Sequence, residues 1–200
     1  MRFFPFRGID KTHKTVGLDH VGNPHFFEGY LIPHGEANSL SSFLTYKKYR
    51  PTVFYVYSPS KCGEESLDKL RKNNYIEISE CHVLDQNDII KGFDSVGALL
   101  FFNGSGEVPK DTKWWAGTVV DLKDVKKNGF IHSGPTVVQV AAGMNAAIIQ
   151  ILKNKNNGLM LPEEFNWVKL LKECSKYLGN IYSREIKTSK DISTPSLFVK

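Results

Sequence analysis

Apolar positions come in short runs through the first half of this chain and in long ones through the second. Residues 26–33 form an apolar and aromatic run that follows Pro24 and closes on Pro33, which predicts a strand. Asn38 and Ser39 are capping residues ahead of Leu40, Phe43 and Leu44, so a short helix is expected to about residue 48. The β-branched and aromatic stretch 52–57 predicts a buried strand. A helix over 64–72, a strand over 75–84 and a strand over 96–102 follow, the last closed by Asn103-Gly104-Ser105-Gly106. Residues 1–25 give no regular pattern, since His13, His20 and His25 fall among Gly, Pro, Asp and Asn.

Beyond a short helix at 122–127, residues 135–153 are almost wholly apolar, which predicts a buried helix rather than a surface one. One stripe along it, Thr136, Gln139, Gly143, Ala146 and Gln150, is small or polar. Such a stripe serves tight packing on a sheet, or close approach by a ligand. A further helix starts at Pro162, with Glu163 and Glu164 in its first turn. It is expected to turn Trp167, Leu170, Leu171, Cys174, Tyr177 and Leu178 inward and to stop at Gly179. Strands and helices mix without a βαβ rhythm. The expected class is α+β, a mixed or antiparallel sheet with packed helices. No repeat or linker divides the chain, so the expected organisation is an irregular segment 1–24, one domain over 25–182 and a polar tail over 183–200.

Two hundred residues at 41% hydrophobic content suffice for one real core. No run of eighteen apolar residues occurs, and the N-terminus lacks a signal-peptide pattern, so no membrane partner is expected. Cys62, Cys81 and Cys174 are odd in number and widely spaced, which fits reduced thiols and a cytoplasmic location. The net charge of +5 raises nucleic acid as a partner, but the lysines are scattered and no recognition motif accompanies them. A nucleic acid is therefore not the expected partner.

Candidate chemistry is sparse. Asn103-Gly104-Ser105-Gly106 lacks the third glycine and the apolar helix that a dinucleotide fingerprint needs, so no cofactor-binding residue is assigned in this chain. His34-Gly35-Glu36 followed by Pro59-Ser60-Lys61-Cys62-Gly63 imitates a zinc deaminase pattern. Ser60 and Gly63 stand where its two cysteines belong, so no metal is expected. What remains is the pair His34 and Glu36, two residues apart at the end of an apolar run. A carboxylate can hold an ammonium group there, and an imidazole can move its proton. A loop histidine and a helix-start acid would read the same way. Tyr55 and Tyr57, on one strand face, are core residues or the walls of a cation pocket.

Several segments, in order, resemble homospermidine synthase, of the saccharopine dehydrogenase-like group. They begin with Gly29-Tyr30-Leu31-Ile32-Pro33-His34-Gly35-Glu36-Ala37, similar to the family's His-Asn-Glu-Ala segment, with Gly35 in place of Asn. Tyr49-Arg50-Pro51-Thr52, Tyr55, Tyr57, Gly97-Ala98-Leu99-Leu100 and Trp115 to Gly117 continue it. Thr136, Gln139-Val140, Asn154, Gly158 and Tyr177-Leu178-Gly179 complete it. The resemblance runs from about residue 25 to about 182 and covers the family's C-terminal part, without its Rossmann domain. It implies an α+β substrate and dimerisation domain from an NAD-dependent transferase that converts putrescine to homospermidine. It places His34 as a catalytic and substrate-binding residue and Glu36 as a substrate-binding one. It also implies a diamine ligand, a homo-oligomer, and inactivity without a Rossmann-domain half or full-length relative to bring NAD. An exposed apolar surface around 137–152 would follow. The alternative is a non-catalytic module that binds polyamines or oligomerises.

Overall fold

The computed structural model describes residues 13–73, 88–102, 104, 107–153, 158–190 and 192. Two three-stranded antiparallel sheets carry it. The first comprises β1 (His13–Leu18), β2 (Pro24–Ile32) and β3 (Tyr55–Tyr57), in that order. The second comprises β4 (Phe93–Phe101), β5 (Lys113–Asp121) and β6 (Asn180–Glu185). The helices are α1 (Gly35–Phe43), α2 (Lys61–Lys72), α3 (Leu122–Lys127), α4 (Pro135–Lys153) and α5 (Trp167–Cys174). The class is α+β, as the mixed pattern predicts. The strand expected at 75–84 lies outside the described residues.

β1 corrects the reading of 13–18 as irregular. It pairs with β2 from His13 opposite Gly29 to Leu18 opposite Pro24. The reversal is an Asx turn, in which Asp19 Oδ1 accepts from the backbone N–H of Val21 at 3.0 Å and of Asn23 at 2.8 Å. Alternation fails in this strand because both faces are covered, and only Lys14 is exposed. His13 is 4% exposed and lies edge-on to Phe54, with ring centroids 5.2 Å apart. Burial holds its pKa below the ordinary 6.5. The unfolded chain takes up a proton near pH 6.5 while the folded chain resists it, so stability is full above that pH and lost as pH falls below it. The thermal midpoint is expected to drop between pH 7.5 and pH 5.5, and His13→Phe to flatten that dependence.

The two sheets meet through a core of Val16 and Leu18 from β1, Trp115 and Val119 from β5, and Ile186 and Ile192. Fully buried side chains such as Leu18 and Val119 each contribute about 1.5–3 kcal/mol. The polar tail expected from 183 is corrected in part: β6 runs through Glu185, and Ile186 and Ile192 are buried. β5 itself carries no alternation in sequence. Gly117 sits opposite Gly97 on β4, and the Trp115 indole lies across both. A Cβ at Gly97 would come within 2.6 Å of that indole, so the glycines are its seat.

On the far side of β5, Val120 packs with Val125 of α3 and Val138 of α4. Ala142 and Ala146 of α4 pack with Cys174 and Leu178, and Lys153 Nζ meets Glu173 Oε1 at 2.7 Å. The helix expected from Pro162 is broken into a 3-10 turn, Pro162–Glu164, then α5, then a second 3-10 turn, Ser175–Tyr177. Its expected inward set holds from Leu170 to Leu178, but Trp167 is 72% exposed.

The expectation that α4 is buried is corrected as well. Its small and polar stripe turns inward in part: Gln139, Ala146 and Gln150 are buried with neighbouring Ala142, Gly143 is half-buried and Thr136 is exposed, and Gln139 Nε2 donates to Thr118 Oγ1 at 2.9 Å. Most of its larger apolar side chains face out, Val138 excepted. Among the described residues, α4 is the one helix long and apolar enough, by length and composition, to cross a membrane, yet only 28% of that window is buried. The helix is amphipathic with its polarity reversed.

Candidate functional site

The candidate site forms where β2 ends. Pro33 removes a ladder N–H and halts the strand, and His34, still extended, becomes the N-cap of α1. The helix starts at Gly35, earlier than the 38–39 expected, because the chain turns directly after the strand. Glu36 thereby sits in the first turn, where the helix dipole favours a negative charge. A side chain at Gly35 would meet nothing within 4 Å, so packing does not demand glycine there.

His34 and Glu36 are brought together. His34 Nδ1 contacts Glu36 Oε2, and the two side chains are 37% and 56% exposed. The pair is open to solvent, so it adds little to stability and remains accessible to a ligand. On its other side the His34 ring stacks on Tyr55, with centroids 4.4 Å apart and planes 13° from parallel. Tyr55 reaches it because it pairs across the sheet with Ile32, two residues before His34. Burial, then the charge of Asp94, holds the Tyr55 phenol above its ordinary pKa and therefore protonated. Tyr57 points the same way along β3 but is half exposed and takes no part in the stack.

The Tyr49-Arg50-Pro51-Thr52 segment has a structural task. Arg50 Nε donates to Ser41 Oγ at 2.9 Å, Arg50 Nη2 to Ser42 Oγ at 3.2 Å, and Ser41 Oγ to the Pro51 carbonyl at 2.9 Å. These bonds bind the return strand to α1 and so hold Tyr55 against His34.

Two acids near the pair escaped sequence reasoning. Asp94, at the start of β4, has its Oδ2 occluded without a hydrogen-bond partner among the described residues. An acid inside an otherwise apolar strand was the signal for it. Glu163 comes from the distant 3-10 turn: its Oε1 accepts from Ser39 Oγ of α1, and its Oε2 is occluded with no hydrogen-bond partner among the described residues. Only the tertiary fold brings it there. The groove beside it encloses about 410 Å³ between Ser39, Ser42, Phe43, Leu161 and Glu163. Glu36, Asp94 and Glu163 are carboxylates that suit an ammonium group, although Arg50 also reaches Ser42 at the groove. The arrangement opposes a pyrophosphate, because the helix N-terminus after β2 carries a carboxylate where a dinucleotide needs bare N–H groups. The junction after β2 therefore does not fit the pyrophosphate of NAD.

No family model matches the chain. Among curated proteins it is similar to the homospermidine synthase of Mesorhizobium japonicum, 29% identical over 159 residues, which span 76% of this chain and 31% of that protein. It is also similar to the homospermidine synthase of Blastochloris viridis, 25% identical over 176 residues, 85% of this chain and 35% of that protein. Among solved structures, the homospermidine synthase of Legionella pneumophila in complex with NAD superposes with a TM-score of 0.69 at 27% identity. That match covers 87% of this chain and 37% of the Legionella chain. The resemblance to homospermidine synthases thus holds over most of this chain. The chain spans about a third of the length of the curated relatives it matches.

Proposed function

We propose that this chain supplies the diamine-holding portion of a homospermidine-forming, NAD-dependent transferase, and that NAD is held by a portion outside these 200 residues. The observation that supports this most is the convergence of His34, Glu36 and Tyr55 at one strand–helix junction, within a chain similar to homospermidine synthases over most of its length. NAD held outside this chain would supply a hydride acceptor and, later, the hydride donor.

The work of this chain's own residues follows from their chemistry. Glu36 offers a carboxylate to an ammonium end of a putrescine-type diamine, a charge-assisted contact. The Tyr55 ring supports the His34 imidazole in a stack, which limits its rotation. His34 takes a proton from the reacting amine, since only an uncharged amine can attack or be oxidised. Contact with Glu36 stabilises the imidazolium that results. That proton leaves on the departing ammonia, and the freed imidazole then takes one from the amine that condenses next.

The test combines putrescine titration of the chain alone with an assay for homospermidine when an NAD-holding portion is supplied. Saturable putrescine binding together with NAD-dependent homospermidine formation is expected. No diamine affinity at millimolar putrescine would sink the reading. Affinity without turnover would leave a binding module instead.

A further inference from the structure

We propose that the outward face of α4 is the seat of the NAD-holding portion. This rests on the reading above and names the surface through which the enzyme would be completed. The face consists of Val137, Val140, Met144, Ile148 and Ile151, each between 53% and 62% exposed. No charged residue occurs from Pro135 to Leu152, in a chain of net charge +5 whose other helices all carry charged residues. A solvated helix face normally holds charge. Five turns without one, about 27 Å of helix, are a layer still waiting for its neighbour.

The reversed polarity says what kind of neighbour. Gln139 and Gln150 are buried, and Gln139 is bonded to Thr118 of β5, so α4 is fixed to the sheet on one side. A helix crossing lipid would not be held to a protein sheet along one side while its glutamines packed there. An uncharged, continuous apolar face suits a permanent interface, one that resembles a domain core cut in two, rather than a transient contact. The matched relatives carry this third of their length together with the rest, and the Legionella protein is a complex with NAD. The portion they have and this chain does not span is therefore the occupant that fits. α5, which packs beside α4, adds Trp167 and Val168 at 72% and 56% exposure.

The experiment uses the full chain with Met144→Cys, alone and co-expressed with the part of the Legionella homospermidine synthase that this chain does not match. Alkylation of each thiol is followed by peptide mass spectrometry, with exposed Cys62 on α2 as the internal reference. The introduced thiol is expected to react freely in the chain alone and at least ten-fold more slowly in the complex, with Cys62 unchanged. Failure to copurify, or equal reactivity in the complex, overturns the proposal. So does protection in the chain alone, whether through a dimer seen by sedimentation or through added phosphatidylcholine vesicles. Ile148→Asp supplies a second reading: it is expected to leave the thermal midpoint of the chain alone unchanged and to abolish copurification. A variant that still copurifies, or that unfolds, overturns it equally. Homospermidine formation is measured on the same complexes. Protection without product retains this surface and removes the proposed function. Product without protection does the reverse.

Discussion

Glu36→Gln is expected to lower homospermidine formation by the completed enzyme, and putrescine affinity of this chain, by about 10- to 100-fold. The substitution keeps the size of the side chain and removes its charge. A hydrogen bond to a charged group contributes about 1.5–3 kcal/mol, which sets that range. Stability is expected to change little, because the Glu36 side chain is 56% exposed and its pair with His34 is solvated. That separation is the useful part. A loss of binding with an unchanged thermal midpoint marks Glu36 as a ligand contact. Equal losses of both, or unaltered putrescine affinity, would make it only the first-turn acid of α1. His34→Gln should behave differently, weakening turnover more than binding, because its role is to move a proton.

Gly117→Val is expected to destabilise the fold by roughly 3 kcal/mol or more, through overpacking and displacement of a buried indole. A Cβ there would run into the Val96 carbonyl oxygen and the Cα of Gly97, and would come within 2.8 Å of the Trp115 ring. The midpoint should fall by roughly 6–12 °C, at about 2–4 °C per kcal/mol for a chain of this size. Gly143→Ala is the matched control. On α4 nothing lies within 4 Å of the added methyl, and alanine there should stabilise by about 0.5–1 kcal/mol. A small effect at Gly117 would mean that β4 and β5 can part locally without loss of the core.

Much of this architecture is legible in the sequence where one face is wet. The run at 26–33 and the amphipathic turns from Leu170 to Leu178 are read correctly for that reason. Where both faces are covered, the signal fails. β1 loses its alternation between β2 and the second sheet, and β5 interrupts its own with a glycine that exists to seat Trp115. α4 misleads in the opposite sense. Its composition describes a core helix, and only the resemblance to a longer family, not its apolar pattern, leads to the expectation of an exposed face there. At the candidate site, His34 and Glu36 are local neighbours and therefore visible. Asp94 and Glu163 reach the same region only through pairing and packing across the chain. The Gly97 and Trp115-to-Gly117 segments that resemble homospermidine synthases turn out to share one structural cause, a tryptophan resting on a glycine pair.

That same arrangement makes the protein its own optical reporter. Its three tryptophans occupy three environments: Trp115 is 3% exposed, Trp114 is 37% exposed, and Trp167 is 72% exposed. Emission from Trp115 belongs to the sheet core, while Trp167 stands beside α4 where a quencher dissolved in water reaches it first. Intrinsic fluorescence thus separates loosening of the core from covering of the helical face, in one cuvette and without a label.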